Sequence, residues 1–329
     1  MMMKVLLLGG THFLGRHLVE SALRSGHDVT LFNRGKTAPG LFPKSVELRG
    51  DRDGNLDALH GRNWDVVIDT SGYVPRVVRA SAELLRPHVG RYVFVSSISV
   101  YADFDQEGMD EEFPVGEVED AATEDVAAFY GPLKALSEAA VQEVYGNDAF
   151  IIRPGLIVGP HDPTDRFTYW VRRFGRGDDV LVPGSPARRV QFIDARDLAD
   201  WMVRAVESGV VGIYNATGPA HPLTMGELVK TLQSAIPNAG RPVWVNEDFL
   251  AQHQVEEWTE LPLWISEAAG WPGFMAVSIE RALGTGLAFR PLTDTIRDTW
   301  QWDRDRMEPM KAGMGPEREK ALLTEWFQR

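Results

Sequence analysis

Apolar and polar positions in the first half of the chain alternate between two periods. Lys4–Leu8 is an unbroken apolar run, the pattern of a parallel strand covered on both faces. Phe13–Leu23 then puts Phe13, Leu14, Leu18, Ala22 and Leu23 at helical spacing, and Gly26 stops it. Further strand runs stand at Val29–Phe32, Val46–Arg49, Val66–Asp69, Tyr92–Ser96 and Ala149–Ile152. Helical spacing fills Leu56–His60, Val77–Arg86, Ala127–Tyr145 and Leu198–Glu207, and Gly212–Asn215 reads as a seventh strand. The alternation predicts an α/β fold, a doubly wound parallel sheet with right-handed crossovers.

Two stretches break the rhythm. Residues 103–125 are crowded with acids, from Asp103 to Asp125, and have little periodicity; they predict a solvated acidic loop, with a lid over the site as the alternative. Beyond Gly218 the chain is rich in proline and tryptophan, including Trp244, Trp258, Trp264 and Trp271, which are expected in the core with at most one lining a cleft. The expected division is a first domain of residues 1–155, to which 190–217 returns, and a smaller, mostly helical lobe of 156–189 and 218–329.

Composition narrows the functional classes. A net charge of −13 argues against a general nucleic-acid or anionic-membrane partner. With 0 cysteines, disulfides, thiolate metal sites and a cysteine nucleophile are excluded. The apolar start, MMMKVLLLGG, is too short for a signal peptide, and no stretch reaches membrane-span length, so a cytoplasmic protein is the expectation.

The chemistry begins at Gly9–Gly15, GGTHFLG, which follows a strand and opens a helix. Gly9 allows the tight turn, Gly15 allows close helix packing, and Thr11, His12, Phe13 and Leu14 complete a loop whose helix N-terminus suits a pyrophosphate. His12 stands where a middle glycine is expected. The second strand ends in Asn33, Arg34 and Lys36 rather than an acid for a ribose 2′-OH. Those cations favour NADP, with NAD as the alternative. Asp51, after Gly50, is placed to meet the adenine, with Arg52 beside it. Thr70, Ser71 and Gly72 form a small turn where bulk would clash with the cofactor. Ser96 and Ser97 end the fifth strand. Tyr130 and Lys134 are spaced i, i+4 on one helix face, where the lysine charge would lower the phenol pKa. A Ser97/Tyr130/Lys134 set can move a proton to or from a carbonyl oxygen. Pro132 fits between them only within a first helical turn.

In this order GGTHFLG, Gly50-Asp51, SSISVY, YGPLK, RPGLIVGP (Arg153–Pro160) and FIDARDLA (Phe192–Ala199) resemble the extended short-chain dehydrogenase/reductase superfamily, the NAD-dependent epimerases and dehydratases. The resemblance covers nearly the whole chain. It implies a Rossmann domain with a C-terminal substrate lobe, cofactor contact by Pro154 as well as the residues above, a small-molecule substrate and a homodimer. The His12 turn and FNRGK are similar to an atypical subgroup with reductase and RNA-associated members.

Departures from the family pattern shape the expected function. Ile98 and Ser99 replace the acidic pair of sugar-nucleotide 4,6-dehydratases. Val190 stands where epimerases place a diphosphate-binding arginine, with Arg188 and Arg189 just upstream. His161, Asp162, Thr164, Asp165, Arg166 and Tyr169 follow the RPGLIVGP strand and could hydrogen-bond a polar substrate. His161 has no second histidine at ligand spacing, so no metal is expected. The expectation is an NADP-dependent reductase or dehydrogenase of a small polar, sugar-like metabolite. A sugar epimerase and a non-catalytic nucleotide- or RNA-binding relative are the alternatives.

Overall fold

Successive side chains on a strand point to opposite faces, and here that alternation divides the central sheet's apolar residues between two cores. The computed structural model describes residues 2–329. Its elements run β1 (Lys4–Leu8), α1 (Phe13–Arg24), β2 (Asp28–Asn33), β3 (Val46–Arg49), β4 (Trp64–Asp69), α2 (Pro75–Leu85), β5 (Val89–Val95), α3 (Val126–Tyr145), β6 (Ala149–Pro154), β7 (Leu156–Val158) and α4 (Arg166–Phe174). They continue with β8 (Asp179–Pro183), β9 (Arg189–Val190), β10 (Phe192–Asp194), α5 (Ala195–Glu207), β11 (Gly212–Ala216), β12 (Leu223–Thr224), α6 (Met225–Ala235), β13 (Arg241–Val245), α7 (Glu247–Gln252), α8 (Glu280–Gly284), α9 (Leu292–Asp303) and α10 (Pro316–Trp326).

Seven strands make one parallel Rossmann sheet in the order β11-β6-β5-β4-β1-β2-β3. Val5 and Leu7 face α1 and α5, joining Leu18, Ala22, Trp201 and Met202. Leu6 and Leu8 face α2 and α3, joining Val78, Ala82, Val141 and Tyr145. Burial on both sides is why the strands read as continuous apolar runs. Strand order reverses between β1 and β4, and the carboxyl ends of these strands open the crevice where such sheets bind ligands.

A third core lies outside the sheet, built around Phe167, Trp170, Phe174, Leu228, Phe249, Ile296 and Leu322. Helices supply most of it, but three two-stranded ladders, β10-β7, β12-β9 and β13-β8, are woven through. These strands are too short, and at Pro183 and Pro242 too interrupted, to give a period-2 signal. The chain rejoins the main sheet through α5, whose N-cap Asp194 accepts from the Arg196 N–H, and through β11 beside β6.

Two local readings change. Leu56–His60 is a single 3-10 turn at Asp57–Leu59 rather than an α-helix. The acidic segment 103–125 has no helix or strand, yet it is not simply solvated. Glu111 is buried and accepts from the Asn215 N–H at 2.7 Å. The Gly108 N–H donates to Ala276 O, the Ser278 N–H to Met109 O and the Gly273 N–H to Phe104 O, which stitches the segment to residues 273–278. A buried acid in a run of acids has no sequence signature that sets it apart. Among the described residues no helix is long and apolar enough to cross a membrane.

Candidate active site

A cleft of about 1040 Å³ runs across the carboxyl ends of the central strands. Its floor is the β1–α1 turn. Gly9 and Gly10 have φ of +113° and +96°, and a Cβ on Gly9 would come 2.7 Å from Thr70 Oγ1. A Cβ on Gly15 would stand 2.9 Å from the Gly10 nitrogen, so the helix could not approach the turn. Thr11, His12, Phe13 and Leu14 line the wall. His12 is the N-cap of α1 in extended geometry, and its side chain makes no capping bond to the first helical N–H groups. Burial, then the charge of Lys311, lowers its pKa, so the imidazole is neutral at neutral pH.

At one end the Gly35 N–H donates to Asn33 Oδ1 at 2.7 Å, while Asn33 Nδ2 is buried without a partner. Arg34 and Lys36 line this end, exposed, and neither forms an ion pair or side-chain hydrogen bond among the described residues. Asp51 also lines it and accepts from the Asp53 N–H. Arg52 reaches the wall but is not an available cation. Its guanidinium donates to Asp69 Oδ1 at 2.6 Å and to the Ser71 and Ser81 hydroxyls, because a fully buried Asp69 requires a counter-charge. Thr70 and Ser71 line the cleft and donate to Leu8 O. Gly72 does not line it. A Cβ there would press Phe94 at 2.5 Å and Val78 at 2.7 Å, so the glycine serves packing below the cleft rather than clearance for a cofactor.

At the other end stand Ser96, Ser97, Tyr130, Lys134 and Pro154. The Ser96 hydroxyl is buried without a partner. Ser97 Oγ accepts from the Ser99 N–H and donates to Ser99 Oγ. In α3 the N-cap Asp125 accepts from the Ala127 and Ala128 N–H groups, and non-helical geometry at Phe129 breaks the helix. The helix restarts at Tyr130, so Pro132 falls in its first turn, where no interior hydrogen bond is lost. Tyr130 is 36% exposed, its ring 6.4 Å from that of Tyr73. Burial first and Tyr73 second raise its pKa, and Ser97 and Arg166 oppose the rise. Lys134 does not act on the phenol as its spacing suggests. Its ammonium donates to Gly72 O at 2.7 Å and Val95 O at 2.8 Å, beneath the Tyr73 ring, and burial lowers its pKa to about 8.

These features fit an elongated dinucleotide. A glycine cradle lies between an unpartnered buried amide at Asn33 and an unpartnered buried hydroxyl at Ser96.

Of the polar residues after β7, only Thr164 and Arg166 reach the cleft. Asp165 is bound by Arg306 and the Lys311 N–H, Tyr169 is in the third core, and Asp162 is buried, holding both the N–H and the hydroxyl of Thr164. His161 lies against His17 and Trp302, and no three His, Cys, Asp or Glu side chains converge as a metal would need among the described residues. Tyr73, Gln191, Trp258, Phe274 and Met275 also line the cleft. They come from loops far apart in the chain, so neither spacing nor period marks them.

Residues 73–217 match the model of the NAD dependent epimerase/dehydratase family. The chain is 28% identical over 250 residues to a chloroplast stem-loop binding protein of Arabidopsis thaliana, covering 70% of this chain and 63% of that protein. It is 28% identical over 264 residues to an epimerase family protein of Bos taurus, covering 74% and 83%. The UDP-glucuronic acid 4-epimerase of Bacillus cereus, solved in complex with NAD, superposes with a TM-score of 0.65 at 16% identity, covering 93% of this chain and 100% of that one.

Proposed function

We propose that this NAD(P)-dependent enzyme, whose residues 73–217 match the NAD dependent epimerase/dehydratase family, is an NADP-preferring oxidoreductase. It would interconvert a carbonyl and a secondary alcohol on a small polar metabolite. The observation that carries the reading is the single cleft with Ser97, Tyr130 and Lys134 at one end and the unpaired Arg34 and Lys36 at the other.

The bound nicotinamide supplies the two-electron chemistry. Gly9 to Gly15 would hold the pyrophosphate, and Arg34 and Lys36 the 2′-phosphate. Lys134 has three ammonium donors, two of them given to carbonyls, which leaves one for a ribose hydroxyl. Tyr130 Oη donates a proton to the substrate oxygen in reduction and accepts it in oxidation. Its raised pKa keeps the phenol protonated, the form a reductase needs. Ser97 Oγ holds the same oxygen by a hydrogen bond. In keeping with a free small-molecule enzyme, we propose a cytoplasmic protein with no nucleic-acid or membrane partner that forms a homodimer.

NADPH consumption with a panel of small aldehydes and ketones tests this. Turnover in the wild type and its loss in Tyr130→Phe, with NADPH binding retained, is the expected result. Substrate racemisation with no net NADPH loss would instead establish the epimerase reading.

A further inference from the structure

We propose that the substrate carries a carboxylate, received by Arg166 at the mouth of the cleft over the face of Trp258; this rests on the oxidoreductase reading and names its substrate class. Arg166 opens α4, lines the cleft and places its guanidinium carbon 5.4 Å from the Trp258 ring centroid. It has no carboxylate partner and donates no hydrogen bond among the described residues.

Arg34, Arg176 and Arg297 also lack such partners but are exposed, whereas Arg166 is half-buried. The other arginines of α4 are paired, Arg172 with Asp303 and Arg173 with Glu319 and Asp178. Arg188 and Arg189, just upstream of β10, are held by Glu247 and Glu107. The acids nearest Arg166 in sequence are committed too, Asp165 to Arg306 and Asp162 to Thr164. With a net charge of −13, a half-buried arginine left unpaired is not short of carboxylates to bind.

The geometry suits one class of ligand. A guanidinium held over an indole ring is attracted to it without using its N–H donors, which stay free for bidentate recognition of a planar carboxylate. Arg166 lies close enough to Tyr130 for its charge to favour the phenolate, so an anion on Arg166 is brought to the end of the cleft where Tyr130 acts. Around it Leu156, Ile157, Trp258, Phe274 and Met275 offer an apolar wall for the substrate body. One cation matches one negative charge. A nucleoside diphosphate carries more, and Arg188 and Arg189 are engaged elsewhere.

Benzoate and its neutral isostere benzamide test the proposal by ligand-observed NMR titration of the protein, with and without saturating NADP. Wild type is expected to bind benzoate at least tenfold more tightly than benzamide. In Arg166→Gln the preference should fall below about twofold, and Arg166→Lys should keep part of it. Equal binding of the two ligands, no detectable benzoate binding, or a preference unchanged in Arg166→Gln would overturn the proposal. NADPH binding is titrated on the same samples. Its absence would overturn the oxidoreductase reading, whereas intact NADPH binding without a carboxylate preference would overturn the carboxylate assignment alone.

Discussion

Removal of one guanidinium beneath α3, the helix that brings Tyr130 and Lys134 to the cleft, should cost more stability than any surface change. Arg153 at the end of β6 donates through Nε and Nη2 to Glu138 of α3, with Nη2 at 2.7 Å from Oε2, and both side chains are 4% exposed. Its Nη1 also donates to Tyr101 Oη and Glu111 O. Glu138 lies one turn beyond Lys134, so the pair docks the helix that carries Tyr130 and Lys134 against the sheet. Arg153→Met keeps much of the volume but strands a buried carboxylate, a change worth about 3–5 kcal/mol. Adding Glu138→Leu removes the stranded charge and should recover about 1–4 kcal/mol. Urea unfolding of both variants at pH 7 measures this. A deficit under about 1 kcal/mol, or one that does not recover in the double variant, would refute the reasoning.

Other consequences are equally direct. Arg34→Ala with Lys36→Ala should weaken NADPH binding by roughly 10- to 100-fold, the scale of one or two charge-assisted contacts, and leave NADH binding unchanged; parallel fluorescence titrations with the two cofactors decide it. Lys134 has a folded pKa lowered to about 8 from 10.5, so the unfolded chain binds more protons between those values and stability rises with pH across that window. Lys134→Met should flatten that rise in urea titrations from pH 7.5 to 10.5. His161 and Asp162 are adjacent and oppose each other. Burial lowers His161 to about 4, which makes stability rise with pH up to 6.5, and raises Asp162 to about 6, which makes stability fall as pH climbs from 3.8 through 6. Asp162→Asn should expose the rise and His161→Gln the fall, in unfolding titrations between pH 4 and pH 7.

The glycine turn and the Tyr130/Lys134 pair were legible because their signals are local. A strand, a glycine turn and a helix are contiguous from Lys4 to Arg24, and Tyr130 and Lys134 are one helical turn apart. What the pattern could not carry was which charges are already spent. Arg52 reads as a cation at the adenine end, and only the burial of Asp69 shows that it is neutralised there. Lys134 reads as a neighbour that acidifies a phenol, and only the positions of Gly72 O and Val95 O show where its protons go. Glu111 reads as one solvated acid among many until Asn215 is seen to hold it. The substrate side shows the limit most clearly. Six polar residues between His161 and Tyr169 are equivalent candidates by sequence, since each is a plausible hydrogen-bonding group in a loop after a strand. Burial and long-range contacts remove four of them. Arg306 takes Asp165, the third core takes Tyr169, burial takes Asp162, and Trp302 with His17 covers His161. Thr164 is tied to Asp162, so Arg166 is left as the one charged group of the six facing the cleft without a partner. Its selection comes from contacts that span as many as 146 residues, such as Lys311 to Asp165, and no local window of the chain contains them.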